Sequence, residues 1–200
     1  MEIINHRVNS VLQLKECRSN EGAEIDVRYH NDCLIISHDP YHSDNNITLD
    51  EYLKNFSLKG TLILNIKSEG IESECIRLLK RYHILNWFFL DLSIPQLVRI
   101  SNNLEAYNVS KHNLCVRFSD YEPLDFTLSF SGKVGWVWVD RFAQSSLGQD
   151  TFNLLKEHGF KICLVSPELH GDNVNLKEYR EEMMKFKIDA VCTKSRDYWG

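Results

Sequence analysis

The chain has 200 residues and a net charge of −5, with 43% hydrophobic and 26% charged residues. This length supports a domain with its own hydrophobic core, and the composition is that of an ordinary soluble globular protein. Without a lysine- and arginine-rich segment or a long apolar run, neither nucleic-acid binding nor a membrane span is expected. Polar residues 5–7 argue against a signal peptide, so we expect a cytoplasmic location.

Short β-rich runs alternate with helical patterns along the whole chain. An extra strand, Cys33–Ser37, follows the turn pair Asn31 and Asp32, and we expect it to form a hairpin with the second strand. The clearest helical pattern spans Glu69–Tyr82, where apolar residues recur at helical spacing. The other predicted strands are Glu2–Asn5, Ala23–Arg28, Thr61–Ile66, Trp87–Leu92, Asn113–Phe118, Val134–Asp140, Lys161–Val165 and Ala190–Thr193.

Local signals mark several helix boundaries. Thr48 is a predicted N-cap, Pro95 fits the first turn of a helix, and Gly159 fits the position just after a helix end. Eight strand–helix units in a row predict an α/β fold, a compact (β/α)8 TIM barrel in one domain over residues 1–200. The alternative is an open, doubly wound sheet, which needs fewer strands.

The cysteines indicate a reduced protein. They lie in apolar strand-like or helical runs, and no two are spaced as C-x-x-C. We therefore expect buried thiols rather than a disulfide framework. The six are Cys17, Cys33, Cys75, Cys115, Cys163 and Cys192.

Two carboxylates on the second predicted strand are candidate metal ligands. Glu24 and Asp26 are two residues apart and therefore face the same side of the strand, while the apolar residues between and beside them face the helices. Paired carboxylates facing the barrel interior repel each other unless a cation or a proton joins them. A hard divalent ion, Mg²⁺ or Ca²⁺, is the expected partner. The alternative is an outward-facing pair on the sheet surface.

Histidines and cations follow nearby strand ends. His6 and His38 could share general acid and general base roles, and Arg7 and Lys67 could neutralise a phosphate. The alternative for each histidine is a structural role. The alternative for Arg7 and Lys67 is an ordinary rim charge or a salt bridge. His170 lies in a run that contains Pro and Gly and follows the seventh strand of the predicted barrel. It could line the site, and a surface loop is an equal alternative.

These residues carry a resemblance to the glycerophosphodiester phosphodiesterase family, within the phospholipase-C-like phosphodiesterase barrels. The family's His-Arg, Glu-x-Asp and His-Asp motifs are matched by residues 6–7, 24–26 and 38–39. The resemblance implies His6 and His38 as the acid–base pair. It implies Glu24, Asp26 and the residue at position 65 as ligands of one divalent cation, with phosphate held by Arg7 and Lys67.

The chain departs from the family pattern at three places. Asn65 stands where the family has a third metal carboxylate, and Asp91 on the next strand is a candidate to compensate. The segment between His38 and Asn65 is shorter than in the family, which implies a more open site. Lys194 follows Thr193 where the family has an aspartate.

The predicted function is metal-dependent cleavage of a small phosphodiester, a glycerophosphodiester or a related compound, as in lipid metabolism. An alternative is a non-catalytic barrel that binds a phosphorylated sugar or glycerol headgroup in surface-polysaccharide metabolism. An unrelated sugar-phosphate isomerase ranks last, because no glycine-rich phosphate loop follows the last strands. The sequence predicts no particular oligomeric state.

Overall fold

A sheet of nine strands forms the centre of the computed structural model, which describes residues 1–40, 46–143, 147–171 and 175–200. Eight strands run parallel in the order β5-β4-β2-β1-β9-β8-β7-β6. A bridge between Phe89 and Leu114 brings the two edge strands together, so that the barrel is nearly closed. The strands are β1 (Glu2–Asn5), β2 (Gly22–His30), β3 (Cys33–Ile36), β4 (Leu62–Ile66), β5 (Trp87–Leu90), β6 (Cys115–Phe118), β7 (Trp136–Val139), β8 (Lys161–Val165) and β9 (Ala190–Thr193).

Helices follow the parallel strands and pack around the barrel. The predicted TIM barrel is therefore confirmed, and so is the predicted hairpin, in which β3 pairs antiparallel with β2. The helices are α1 (Val11–Glu16), α2 (Leu49–Lys54), α3 (Glu72–Arg81), α4 (Ile94–Ser101), α5 (Leu104–Tyr107), α6 (Leu124–Leu128), α7 (Gln149–Glu157), α8 (Leu176–Met183) and α9 (Arg196–Trp199). Short 3₁₀ helices lie at Lys111–Asn113 and Pro167–His170.

Local features of the chain explain where the predicted helices begin and end. The Thr48 hydroxyl accepts a hydrogen bond from the backbone N–H of Glu51 at 3.2 Å and so caps α2. Pro95 lies in the first turn of α4, where its missing N–H leaves no helical bond unmade. Gly159 follows α7 with φ of +78°, the left-handed conformation that a helix end often needs.

Two apolar clusters fill the fold, as strand alternation requires. One lies inside the barrel and includes Ile4, Phe88, Trp136 and Trp138, with the rings of Phe88 and Trp136 stacked at 4.9 Å between centroids. The larger cluster lies between the strands and the helices. Because the barrel interior is packed with side chains, it is a core and the chemistry is confined to its mouth.

The expectation that all six cysteines are buried was wrong, and the structure also gives a contact to a residue for which the sequence made no prediction. Cys33 is exposed because it begins the return strand of the hairpin, although all six cysteines are free as expected. Trp199, at the chain terminus and given no role by the sequence, is only 3% exposed. Its indole N–H donates to the Ser166 hydroxyl at 2.9 Å, which ties α9 to the end of β8.

Among the described residues, no helix has both the length and the apolar character that a membrane crossing requires.

Candidate active site

Three polar side chains point into the barrel mouth from two neighbouring strands. Glu24 and Asp26 lie on β2, and the register pairs Asp26 with Asn65 on β4. Their exposed fractions are 1%, 0% and 8%. The apolar residues that alternate with them, Ala23, Ile25 and Val27, pack in the outer cluster against the helices. The pleat of β2 therefore turns both carboxylates inward.

Glu24 is held by two donors on opposite sides. The backbone N–H of Arg7 donates to Oε2 at 2.8 Å, and the Asn65 amide donates to Oε1 at 3.0 Å. Arg7 has φ of +53°, an uncommon conformation for a residue with a side chain. Burial, and next the charge of Asp26, raise the pKa of Glu24 to about 7.

Two oxygens at the mouth have no hydrogen-bond partner among the described residues. They are Oδ1 of Asp26 and Oδ1 of Asn65, and both are buried. The other carboxylate oxygen of Asp26 accepts from the Asn9 amide at 2.8 Å, and Asn9 Oδ1 accepts in turn from the backbone N–H of Asp26 at 3.0 Å. Asn9 positions Asp26, and no sequence signal pointed to it.

His6 faces Glu24 across the mouth, with Nε2 lying 3.8 Å from Oε2. Its Nδ1 is buried and has no partner in the described part of the chain. Burial, with help from four nearby cationic groups, lowers the pKa of His6 from 6.5 to about 3. The four groups belong to Arg7, Lys194, His38 and His170. His6 is therefore a neutral imidazole near neutral pH.

His38 lies between Arg7 and Asp39. The Arg7 guanidinium is 2.5 Å from Nε2, and the Asp39 carboxylate is 2.8 Å from Nδ1. Because a guanidinium can only donate, Nε2 accepts here, and Nδ1 carries the proton that is donated to Asp39. Arg28 donates to the backbone carbonyl of His38 at 2.8 Å and fixes the segment after β3.

A ladder of ion pairs runs around the mouth from β2 to the segment after β8. Lys67 Nζ lies 3.7 Å from Asp26 and 3.6 Å from Asp91. Arg117 contacts both Asp91 and Asp140, the residue that follows β7. Asp91, the candidate to compensate for the missing metal carboxylate, is paired with Lys67 and Arg117 in this structure.

The last step of the ladder joins Asp140 to His170. Nε2 of His170 lies 2.6 Å from Oδ1 of Asp140, which is itself only 4% exposed. His170, for which the sequence left a surface loop as an equal alternative, therefore lines the mouth. On the other side of the mouth, a cavity of about 610 Å³ adjoins His6 and Arg7 and extends to Thr193 and Lys194.

The residues present fit one hard divalent cation that takes only a few of its ligands from the protein. Within the described ranges, no three His, Cys, Asp or Glu side chains form a metal-binding group. The candidate donors are two carboxylates and an amide, and two of their buried oxygens have no hydrogen-bond partner among the described residues. Mg²⁺ in proteins is often held by one or two carboxylates, with substrate phosphate and water completing its shell.

Comparison with known proteins gives the class of fold. No protein-family model matches the sequence, and no curated protein matches it. Among solved structures, a glycerophosphodiester phosphodiesterase from Agrobacterium tumefaciens strain C58 has a TM-score of 0.71 at 13% identity, covering 100% of this chain and 97% of that one. A glycerophosphoryl diester phosphodiesterase from Parabacteroides distasonis has a TM-score of 0.65 at 12% identity, with coverages of 96% and 82%.

Tryptophan synthase α-subunits share the barrel as well. The subunit from Campylobacter jejuni has a TM-score of 0.59 at 12% identity, covering 96% of this chain and 85% of that one. At these identities the likeness shows the fold alone. The neighbours include the family that the sequence motifs resemble, and the site's own chemistry has to distinguish between the functions that this fold supports.

Proposed function

We propose that the protein is a phosphodiesterase that depends on one divalent cation, Mg²⁺ or Ca²⁺, and cleaves a glycerophosphodiester or a related small phosphodiester. The observation that carries the proposal is the pair of buried carboxylates, Glu24 and Asp26, beside Asn65. Burying two like charges together is unfavourable, as the raised pKa of Glu24 indicates, and a cation would relieve that cost.

The surrounding side chains are suited to the remaining parts of the reaction. A cation held by Glu24, Asp26 and Asn65 would neutralise phosphate charge and lower the pKa of the attacking hydroxyl. His6, a neutral imidazole, would accept the proton of that hydroxyl. Lys67 would attract the phosphate as a point charge.

Arg7 and His38 act together in this proposal. Arg7 would turn from Nε2 of His38 to the phosphate, where it can donate two hydrogen bonds. That movement frees Nε2 to take up a proton from solvent, and the resulting imidazolium, stabilised by Asp39 at Nδ1, would then donate that proton to the leaving oxygen. The exposed fraction of the Arg7 side chain, 42%, leaves it room to move.

Turnover of bis-p-nitrophenyl phosphate and of a panel of glycerophosphodiesters tests the proposal. We expect release of product in Mg²⁺, Mn²⁺ or Ca²⁺, and we expect EDTA to remove it because the cation supplies both charge neutralisation and nucleophile activation. Release that is equally fast in EDTA would contradict metal dependence. A folded sample with no release of product under any condition would contradict the proposed phosphodiesterase activity.

A non-catalytic phosphate binder is the second candidate, and Asn65 is the observation that favours it. An amide in place of a carboxylate leaves the site one negative charge short. For an enzyme, Asn65→Glu should tighten cation binding about tenfold while activity is already present in the natural protein. Asn65→Ala, as the matched variant, should weaken binding. Activity that appears only in Asn65→Glu would identify the natural protein as a binder.

A further inference from the structure

An exposed aromatic pair lies on the rim of the mouth, at the ends of β6 and β7. Tyr121 follows β6, Phe142 follows β7, and their ring centroids are 5.9 Å apart. Their exposed fractions are 75% and 46%. The Phe142 ring also lies 5.4 Å from the imidazole of His170. Single exposed apolar residues are normal, but two that touch each other beside a polar mouth present an apolar face to a ligand.

Both aromatic residues are held in place by the strand-end segments. The Asp120 carboxylate accepts from the backbone N–H groups of Phe142 and Ala143, each at 2.8 Å. The Ser119 hydroxyl accepts from the backbone N–H of Tyr121 at 3.1 Å. Because these bonds fix the two segments beforehand, a ligand that stacks here pays little to order them.

Polar groups of both kinds surround the aromatic pair. Glu122 supplies an acceptor, Arg117 supplies donors, and His170, which Asp140 holds in place, supplies a ring nitrogen. Aromatic faces next to carboxylates and a guanidinium match a molecule that has an apolar face and an edge of hydroxyl groups. We call these residues the rim subsite: Arg117, Tyr121, Glu122, Asp140, Phe142 and His170.

The charges of the rim subsite disfavour ionic ligands. An anion would meet the carboxylates of Asp140 and Glu122. A cation would be repelled by the Arg117 guanidinium, whose carbon lies 6.0 Å from the Phe142 ring centroid. It would also find both carboxylates already paired with Arg117, Glu122 at 3.6 Å. With anions and cations disfavoured, a neutral molecule is the class of ligand that the rim subsite fits.

We propose that the rim subsite binds a neutral polyhydroxylated ring, a sugar or a cyclitol, esterified to the phosphate at Lys67. This inference rests on the proposed phosphate site, and it names the alcohol on one side of the diester. The ring's apolar face packs on Tyr121 and Phe142, and its hydroxyl groups exchange hydrogen bonds with Glu122 and His170.

Binding of three phosphate monoesters tests the proposal without turnover. In Mg²⁺, calorimetric titration of the protein with glucose 1-phosphate, myo-inositol 1-phosphate and glycerol 3-phosphate compares two rings with an open chain. We expect at least one ring ester to bind about tenfold tighter than glycerol 3-phosphate, and the stronger of the two distinguishes sugar from cyclitol. Phe142→Ala should remove that preference while the Kd of glycerol 3-phosphate stays within about twofold.

Two further variants serve as controls. Phe142→Tyr keeps an aromatic face and should keep the preference. Leu85→Ala removes an apolar side chain that is 83% exposed and precedes β5 at the opposite end of the barrel, and it should change no affinity. Equal affinity for all three esters, no binding of any, or a ring preference that survives Phe142→Ala would overturn the proposal.

Turnover separates this proposal from the proposed function. If glycerophosphoinositol and glycerophosphocholine are both cleaved but the ring esters have no preference that depends on Phe142, the subsite is wrong and the phosphodiesterase stands. A clear preference for the choline diester would also overturn the subsite. If the ring preference exists and no diester is cleaved, the rim subsite is supported and the proposed phosphodiesterase activity is contradicted.

Discussion

Replacing His6 by alanine should lower kcat by roughly a thousandfold, the size of effect that loss of a general acid–base residue produces. The imidazole is neutral because burial and neighbouring cations lower its pKa to about 3. It is therefore unprotonated near neutral pH, as a general base has to be before it accepts a proton. The measurement is steady-state turnover of bis-p-nitrophenyl phosphate in saturating Mg²⁺.

The loss should come from chemistry rather than from folding. His6 makes no hydrogen bond through Nδ1 among the described residues, so its removal breaks little that stabilises the fold. We expect the thermal midpoint of His6→Ala to stay close to that of the unaltered protein. His158→Ala, at the end of α7 on the outer surface, is the matched control and should keep full turnover. Full turnover in both His6→Ala and His38→Ala would refute the mechanism.

The architecture could be predicted because it depends on local patterns repeated many times. Each strand is a short apolar run, each helix has an apolar stripe, and caps such as Thr48 and Pro95 mark where helices begin. One wrong boundary changes little when eight units agree. The inward direction of Glu24 and Asp26 followed from alternation along β2 alone.

The partners inside the site could not be predicted because they join residues far apart in the sequence. Arg7 meets His38 through the hairpin, and Lys67 is drawn to Asp91 as well as to Asp26. Whether a cation holds phosphate or a neighbouring carboxylate depends on distances of a few ångströms, which strand patterns do not contain. Asn9 is the clearest example, since only the fold brings its amide to Asp26.

Glu24→Gln should stabilise the metal-free protein at about pH 8 by roughly 3 kcal/mol, because a neutral amide avoids the cost of a buried charge. The pKa of Glu24 is raised from 4.5 to about 7 in the folded protein. Between these two values the folded state binds more protons than the unfolded state, so stability falls as pH rises through that window. Urea unfolding in EDTA at about pH 5 and about pH 8 measures the difference.

The gain should be nearly absent at about pH 5, where the folded protein keeps Glu24 protonated. Glu74→Gln is the matched control, because Glu74 is an exposed glutamate on α3 whose pKa is lowered by its hydrogen bond with Arg77. Its loss should give no gain at high pH. A Glu24→Gln protein that is less stable than the unaltered one at about pH 8 would show that the ionised carboxylate is well compensated without metal.

Added cation should reverse the order of the two proteins. In the unaltered protein, Mg²⁺ would offset the repulsion between Glu24 and Asp26, and stability should rise with its concentration as expected for a ligand that binds only the folded state. Glu24→Gln lacks one of two carboxylates and should respond weakly. Under the proposed function, the cost of the buried pair and the affinity for the cation would have one origin, because two carboxylates placed to hold a metal repel each other when the metal is absent. If Mg²⁺ stabilises both proteins equally, the cation binds elsewhere, and the metal-dependent mechanism loses its central residue.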